Sequence, residues 1–377
     1  MKKRVYEVQQ VILRHIVIAD IPANSLLPSI RSFVETLQSS RQTVHLAFQK
    51  LVEEGVLEVS SRRGYRVTDP EKASRLLIRK DETRIAFIMP RWVEKGMFSP
   101  LFAEILLGIE SVADMTNDVR TVCLTLPWDV NEKHFSLGQL ALGTRNVAGA
   151  MLVGPMPDFI AEKFIRKSHL PTILVDNITD LHDVSCVTKD NLSGAARAVR
   201  YLIERGHRRI GMISVRSRKM RINERWAGFL AEMQRHELLN EIAFVEEAAW
   251  DADTIAGGAA AAEELLKKGL NGATALFVLN DNMALGAIQV FQANNIRIPE
   301  DLSVITIGND SHVAELCRPR LTSLATDCRR MGRVALQTLL DILRNPQRNA
   351  STVIMLPMQL VEGESVCDGP FAKWAPK

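Results

Sequence analysis

The sequence predicts an α/β protein in two parts: an N-terminal winged helix-turn-helix domain, then a larger domain of two lobes with parallel sheets. Three observations support this. A helix at 39–55 is apolar on one side and polar on the other, and a basic hairpin pattern follows it. From residue 83, short β-branched runs alternate with amphipathic stretches. The 377 residues suffice for two or three domains, each with a sizeable core.

Composition narrows the class of protein. No apolar run approaches the roughly 18 to 20 residues that span a bilayer, and the start, MKKRVYEVQQ, lacks the apolar core of a secretion signal. We therefore expect a cytoplasmic protein. Its five cysteines are scattered and form no C-x-x-C pair, which favours reduced thiols over a disulfide framework or a zinc site.

The excess positive charge lies at the N-terminus. Residues 1–70 contain ten Lys and Arg against seven Asp and Glu, and this difference accounts for the whole net charge of +3. A modestly basic small domain on a neutral large one suits a polyanion-binding head on a globular body.

The helix at 39–55 has well-marked ends and a continuous buried stripe. Ser40 is placed to cap its N-terminus, and Gly55 supplies the left-handed residue that ends such helices. The stripe, at helical spacing, consists of Val44, Ala47, Phe48, Leu51 and Val52. The opposite side presents Arg41, Gln42, His45 and Gln49. By itself this side is either an ordinary solvated face or a face that contacts a ligand.

The neighbouring elements favour the second interpretation. An amphipathic helix at about Val5–Ile18 and a shorter one at Pro28–Leu37 precede the helix, and VLEVSSRRGYRVTD after it alternates like a β-hairpin. In a helix-turn-helix the second helix enters the major groove with its N-terminal residues. A basic hairpin tip beside it can reach phosphates or the minor groove.

The stretch LLPSIRSFVETLQSSRQTVHLAFQKLVEEGVLEVSSRRGYRV resembles the winged-helix head of the GntR family of repressors, with LPS-x-R, SR-x-T-V, L-x-x-EG and G-x-x-V in order. The resemblance implies that Arg31, Ser40, Arg41, Thr43 and the wing around Gly64 contact DNA. In this context we expect the polar helix face and the wing tip to contact DNA as well. The predicted DNA-binding residues are Arg31, Ser40, Arg41, Gln42, Thr43, His45, Arg62, Arg63 and Gly64. Asn24 stands where the family commonly has glycine, and Asn tolerates the positive φ that the turn needs.

After a head at 1–68 and a charge-rich linker at 69–82, the body at 83–366 repeats a βαβ pattern, and 367–377 form a tail. The size of the body favours two similar lobes, with the chain crossing from the first lobe near Asp176–Asp190 and returning near Asp310–Thr326. The predicted strands are RIAFIMP, RTVCLTLP, VAGAMLVG, PTILVDN, RRIGMIS, IAFVEE, TALFVLND and LSVITIGND. Near-continuous apolar strands of this kind are covered on both faces.

Polar residues gather where these strands end, which is where open α/β sheets bind ligands. Asp176, Asn280 and Asp310 follow three of them, and Trp250 comes shortly after IAFVEE. Amides, carboxylates and an indole face suit a polyhydroxylated ligand. The alternative is that each Asp or Asn is only a turn former or helix cap.

The body resembles the LacI/GalR effector-binding domain, itself similar to periplasmic sugar-binding proteins. The matching segments are FAEILLGIE, YLIERGHRRIGMIS, ERWAGF, ALFVLNDNMALGAIQVFQANNIRIPEDLSVITIGND and RPRLTSL. The resemblance implies effector contacts by Asp176, Arg225, Trp250, Asn280 and Asp310. FSPLF stands where the family has N-P-F-F, so the sequence leaves the identity of the effector open.

A GntR-like head on a LacI-like body resembles the arabinose repressors. We expect a repressor of double-stranded operator DNA that a small sugar releases, acting as a homodimer. The amphipathic segment SPLFAEILLGIESVADM offers Leu101, Ile105 and Ile109 to a partner or to its own sheet. We find no G-x-S-x-G, P-loop, H-E-x-x-H or G-x-G-x-x-G, and expect no cofactor and no metal. The alternatives are an enzyme with a catalytic α/β body, a free sugar-binding transport protein, and a regulator with a non-sugar effector such as a purine.

Overall fold

The computed structural model describes residues 2–60, 64–77, 83–91, 100–116, 118–127, 147–154, 156, 158–177, 184–215, 220–248, 254–308, 311–345 and 351–372. The chain divides into two compact units, Met1–Glu82 and Thr83–Lys377. Each is described by itself.

The N-terminal unit is a helix-turn-helix followed by a hairpin, as predicted. Its elements are α1 (Lys2–Ile18), α2 (Ile30–Leu37), α3 (Arg41–Glu53), β1 (Leu57–Ser60), β2 (Gly64–Val67) and α4 (Pro70–Leu77). β1 and β2 pair antiparallel, with Ser60 opposite Gly64. Aromatic rings join the helices to the hairpin: Phe48 lies 5.5 Å from Phe33 and 4.5 Å from Tyr65 between ring centroids.

The predicted stripe of α3 is the side that packs. Four of its five residues have no exposed surface, and Val52 is partly buried. Gly55 follows the helix with φ +69°, the left-handed conformation expected of it. Asn24 adopts the same φ of +69°, so the turn that glycine commonly makes in the family is kept. Local sequence signals and burial therefore agree in α3 and in these two turns.

Part of the segment predicted to be a linker is helical. α4 spans Pro70–Leu77 and contacts α1. Ala73 is completely buried in the core of the N-terminal unit, and Leu76 packs against that core. The segment 70–77 therefore belongs to the head rather than to a spacer. Its few apolar residues did not reveal this, because a small side chain such as Ala73 leaves a weak periodic signal.

The second unit contains two six-stranded sheets, one in each lobe. The first has the order β13-β7-β6-β5-β3-β4 and is parallel throughout. Its strands are β3 (Thr83–Arg91), β4 (Val119–Pro127), β5 (Gly149–Val153), β6 (Thr172–Val175), β7 (Ser185–Lys189) and β13 (Val353–Leu356).

The second sheet has the order β14-β12-β11-β10-β8-β9, and only β14 is antiparallel to its neighbour. Its strands are β8 (Ile210–Val215), β9 (Ile242–Ala248), β10 (Ala275–Val278), β11 (Ser303–Gly308), β12 (Thr322–Ala325) and β14 (Gln359–Val361). All eight predicted runs are strands, which confirms the parallel α/β class. β7, β12, β13 and β14 were not predicted.

Helices cover both faces of each sheet. In chain order they are α5 (Pro100–Thr116), α6 (Asp158–Ser168), α7 (Asn191–Glu204), α8 (Met220–Arg235), α9 (Ile255–Lys268), α10 (Asp281–Ala293), α11 (Ser311–Leu316) and α12 (Cys328–Arg344). α5 and α12 pack on one face of the first sheet, and α6 packs on the other. Ile105 and Ile109 of α5 are completely buried against their own sheet, which settles the alternative left open for them.

The chain passes between the lobes three times. It crosses at Asp190, between β7 and α7, and returns at Thr326–Asp327, between β12 and α12. The first position is the last residue of its predicted range, and the second begins at the last residue of its range and extends one residue beyond it. The third passage, between β13 and β14 at 357–358, was not predicted. The first and third passages are adjacent, because the Asp190 N–H donates to the Leu356 carbonyl at 2.9 Å.

The beginning of the predicted tail is packed against the second lobe. The Cys367 N–H donates to Ser303 Oγ at 3.1 Å, and the Cys367 carbonyl lies 3.0 Å from Nε2 of the buried His207. The Gly369 N–H donates to the Arg205 carbonyl at 2.7 Å. Residues 367–372 are therefore part of the folded lobe.

Candidate DNA-binding and effector sites

The N-terminal half of α3 presents an exposed, acid-free polar face. Arg41, Gln42 and His45 are exposed, as are Gln49 and Lys50 one turn further on. Exposed guanidinium and amide groups at a recognition-helix N-terminus have the donors and acceptors that read guanine and adenine in a major groove. The structure therefore brings together the helical part of the predicted DNA-binding surface.

Ser40 and Thr43 form the cap of this helix. Ser40 Oγ accepts from the Thr43 N–H at 3.2 Å, and the two hydroxyls lie 2.8 Å apart. Ser40 is exposed, as the predicted contact requires, whereas Thr43 is only 8% exposed. Thr43 thus differs from the other predicted contacts in this helix, because its hydroxyl is already bonded within the cap.

The remaining predicted DNA contacts lie beside α3. Arg31 is on α2, with 88% of its side chain exposed, and its Nε lies 3.0 Å from Glu35 Oε1. Exposed pairs of this kind contribute little to stability, so the guanidinium can change partner at small cost. Gly64 begins β2 with φ +102° and is exposed. Arg62 and Arg63, at the hairpin tip, lie outside the described residues.

In the second unit, Asp176 is held by a buried lysine. Asp176 follows β6 and is 2% exposed, and Lys189 at the end of β7 is 5% exposed. The Lys189 ammonium lies 2.9 Å from Asp176 Oδ1 and 3.0 Å from Oδ2. Burial lowers the pKa of Lys189, while the Asp176 carboxylate acts in the opposite direction. The predicted effector contact is thus one half of an ion pair.

Arg225, on α8 of the second lobe, is linked to this pair through Asn191. Arg225 Nε donates to Asn191 Oδ1 at 2.9 Å, and one terminal nitrogen donates to the Leu279 carbonyl at 2.6 Å. Asn191 Nδ2 in turn lies 3.3 Å from the Lys189 carbonyl and 3.3 Å from Glu224 Oε2. Asn191 follows the first passage between the lobes, so this chain of bonds connects the carboxyl ends of strands in both sheets.

Asn280 caps α10 next to this chain. Its Oδ1 accepts from the Met283 N–H at 2.9 Å, and the preceding residue, Leu279, is the one that Arg225 contacts. The cap is the alternative role considered for Asn280, and its contact with an effector stays a prediction. Trp250 and Asp310 lie outside the described residues.

Sequence reasoning missed Lys189, Asn191 and Glu224. The run TKDN at 188–191 carried a usable signal, because four consecutive polar residues span the end of a strand at the ligand-binding edge. Burial raises the pKa of the Glu224 carboxyl above its usual value, whereas the bond from Asn191 lowers it. Burial also raises the pKa of the nearby Cys328 thiol to about 12, which keeps it protonated and unreactive.

Both parts of the chain match known protein families. Residues 5–67 match the bacterial regulatory proteins of the gntR family, and residues 199–366 match a periplasmic binding protein-like domain. The chain is 30% identical to the HTH-type transcriptional repressor PurR of Edwardsiella ictaluri (strain 93-146) over 275 residues, which are 72% of this chain and 78% of that repressor. The chain belongs to the LacI/GalR family of transcriptional regulators.

Two solved structures show the same fold. The transcriptional regulator CelR–cellobiose complex superposes with a TM-score of 0.65 at 25% identity, covering 90% of this chain and all of the other. The lac repressor dimer bound to operator and the anti-inducer ONPF gives a TM-score of 0.65 at 20% identity, covering 79% and 99%. This LacI/GalR regulator is therefore a DNA-binding transcriptional regulator with a small-molecule effector domain, and its head is of the gntR type.

None of the helices in the described residues is long and apolar enough to cross a membrane. Within the same part of the chain, no group of three or more His, Cys, Asp or Glu side chains is arranged to hold a metal ion.

Proposed function

We propose that this regulator represses transcription as a homodimer in the cytoplasm and leaves its operator when a small sugar binds between the lobes of the second unit. The observation that supports this is the chain of bonds from Asp176 through Lys189 and Asn191 to Arg225. It places buried donors and acceptors at the point where the chain passes between the lobes. Such groups bind a polyhydroxylated ligand well, since each hydroxyl both donates and accepts.

The mechanism follows from the position of these groups. A ligand that bonds to both lobes stabilises their closed arrangement, and closure changes the state in which the heads bind DNA. To convert a mostly bound population to a mostly released one, the ligand must prefer one arrangement by about 10⁴-fold, or about 5.5 kcal/mol. Several hydrogen bonds in a site shielded from water supply an energy of this size.

Binding rather than catalysis is the function that these groups support. The relatives are repressors. Asp176 and Lys189 bond to each other, and the Cys328 thiol stays protonated, so these groups suit recognition better than attack on a bond. The CelR complex with cellobiose supports a sugar as the effector class.

The test begins with the DNA. The purified full chain is used to select duplexes from a random library, and the enriched duplex is titrated by fluorescence anisotropy with and without L-arabinose, D-ribose, D-glucose, sucrose and cellobiose. We expect one sugar to weaken duplex binding by at least about 100-fold. Failure to enrich any duplex overturns operator binding. Release by purine bases, with no response to any of these sugars, overturns the sugar as effector.

The dimer is tested separately by light scattering coupled to size exclusion. Leu107 and Met115 on α5 are exposed apolar side chains, at 50% and 81%. We expect a mass of about twice the 42.1 kDa of one chain. A single-chain mass at micromolar concentration would overturn the dimer.

A further inference from the structure

Lys189 is a buried cation that has bonding capacity left over. Its ammonium carries three N–H groups, and within the described part of the chain it bonds to the two carboxylate oxygens of Asp176. Each of those oxygens has a second lone pair. The pair therefore retains one donor and two acceptors, held at the carboxyl ends of β6 and β7.

Folding alone does not account for this ion pair. Removing two charges from water costs several kcal/mol per ion, and an apolar pair of similar volume is usually as stable or more so. The strands around it are apolar: Val175, before Asp176, and Val187, two residues before Lys189, have no exposed surface. The ion pair thus stands where an apolar pair would serve the core equally well.

The pair faces the other lobe. Burial is the largest effect on the pKa of Lys189 and lowers it, while the Asp176 carboxylate raises it. Arg225, on α8 of the second lobe, is close enough to the Lys189 ammonium to lower this pKa further. The Asn191 amide bonds to both the Lys189 carbonyl and Arg225. Lys189 and Asp176 are therefore at the boundary where a ligand between the lobes would lie, not in the centre of the first sheet's core.

We propose that Lys189 and Asp176 together bind one hydroxyl of an uncharged sugar: the ammonium donates to the hydroxyl oxygen, and the hydroxyl donates to the carboxylate. This rests on the proposed sugar effector and specifies its class. Lys189 and Asp176 neutralise each other, so the pair presents no net charge to a ligand. A phosphate group would meet the Asp176 carboxylate, so a phosphorylated sugar is disfavoured.

The test compares the full chain with Lys189→Met and with a control, Lys267→Met. Lys267 is a lysine on α9 whose side chain is 72% exposed. Calorimetry with the sugars named above, and with glucose 6-phosphate and ribose 5-phosphate, gives each affinity. A charge-assisted hydrogen bond lost from a ligand weakens binding by about 10- to 150-fold. We expect this loss for Lys189→Met and less than a twofold change for Lys267→Met.

A second variant allows for the unpaired Asp176 that Lys189→Met leaves behind. Lys189→Met with Asp176→Asn removes both charges and keeps a residue that tolerates the left-handed φ of +52° at position 176, so it should fold as the parent does while losing sugar affinity by at least about 10-fold. Sugar affinity within threefold of the parent in this double variant overturns the assignment. Tighter binding of a sugar phosphate than of its neutral sugar overturns the uncharged class. If no sugar binds the parent while operator binding persists, the proposed effector fails and this assignment fails with it.

Discussion

Replacing Arg225 by methionine tests the connection between the two lobes. The side chain is 8% exposed and donates to Asn191 Oδ1 and to the Leu279 carbonyl. Methionine has a similar length and no donors, so the change removes both bonds and keeps much of the volume. Asn191, itself 1% exposed, then loses the donor to its side-chain oxygen.

The magnitude follows from these two bonds. A hydrogen bond to a charged group is worth about 1.5–3 kcal/mol, and an unsatisfied buried acceptor costs about 1–3 kcal/mol. Relief from burying the guanidinium offsets part of the sum, so we expect a net loss of about 2–4 kcal/mol in the free energy of unfolding. For a unit of this size the melting temperature falls by roughly 4–12 °C.

The assay uses the full chain, because the N-terminal unit serves as an internal reference. Differential scanning calorimetry follows the transitions of the two units, and only that of Thr83–Lys377 should shift. Arg235→Met, on the same helix with 67% of its side chain exposed, is the matched control and should move neither transition by more than about 1 °C. A shift below 1 °C for Arg225→Met, with sugar affinity unaltered, would refute the role given to Arg225.

Four further outcomes are expected. Arg41→Ala should weaken binding of the selected duplex at least tenfold without changing either melting temperature, since Arg41 is exposed; duplex binding within twofold of the parent, as expected for the exposed control Lys267→Ala in the second unit, would show that Arg41 does not contact DNA. Ser40→Ala removes a helix cap, so the free energy of unfolding of the N-terminal unit should fall by about 1 kcal/mol and only the melting temperature of this unit should decrease. An unchanged transition in calorimetry would contradict the cap. Burial lowers the pKa of His207 from its ordinary 6.5, so the unfolded chain binds more protons below that pH. The free energy of unfolding should therefore fall as pH drops below about 6.5, and His207→Gln should flatten the urea-denaturation profile between pH 7.5 and 5.5. In Gly286→Ala the new methyl carbon would lie 1.9 Å from the Ile255 carbonyl oxygen where α10 crosses α9, so α10 must move and stability should fall by at least about 1–3 kcal/mol, as urea denaturation would reveal.

The strands that could be predicted from sequence are those whose apolar residues lie in an apolar environment. Runs such as TALFVL are apolar because both faces of the strand are covered, and local pattern is then sufficient. β7 lacks such an apolar pattern, since SCVTK contains Ser185, Thr188 and Lys189, and yet all five of its residues are buried. Its polar groups are acceptable only because partners elsewhere in the fold satisfy them, and no local pattern carries that information.

The same limit applies to the site. Asp176 and Asn280 could be placed at strand ends from sequence, because topology fixes which edge of the sheet they occupy, whereas Arg225, on α8, was indicated only by the family resemblance. The ion pair of Asp176 with Lys189 depends on the register between β6 and β7, where Val175 lies opposite Val187. Thirteen residues separate the two charges along the chain. Only the assembled sheet shows that they meet.

The three passages between the lobes mean that neither lobe is a continuous stretch of chain. The first sheet gains its edge strand only when residues 353–356 are available, whereas the N-terminal unit has its own core and is complete by Leu77. At ribosomal rates of roughly 5–20 residues per second, the head can fold tens of seconds before the sensor does. A nonsense mutation anywhere in that interval therefore deletes an edge strand of the first sheet and leaves the whole of the N-terminal unit in the product.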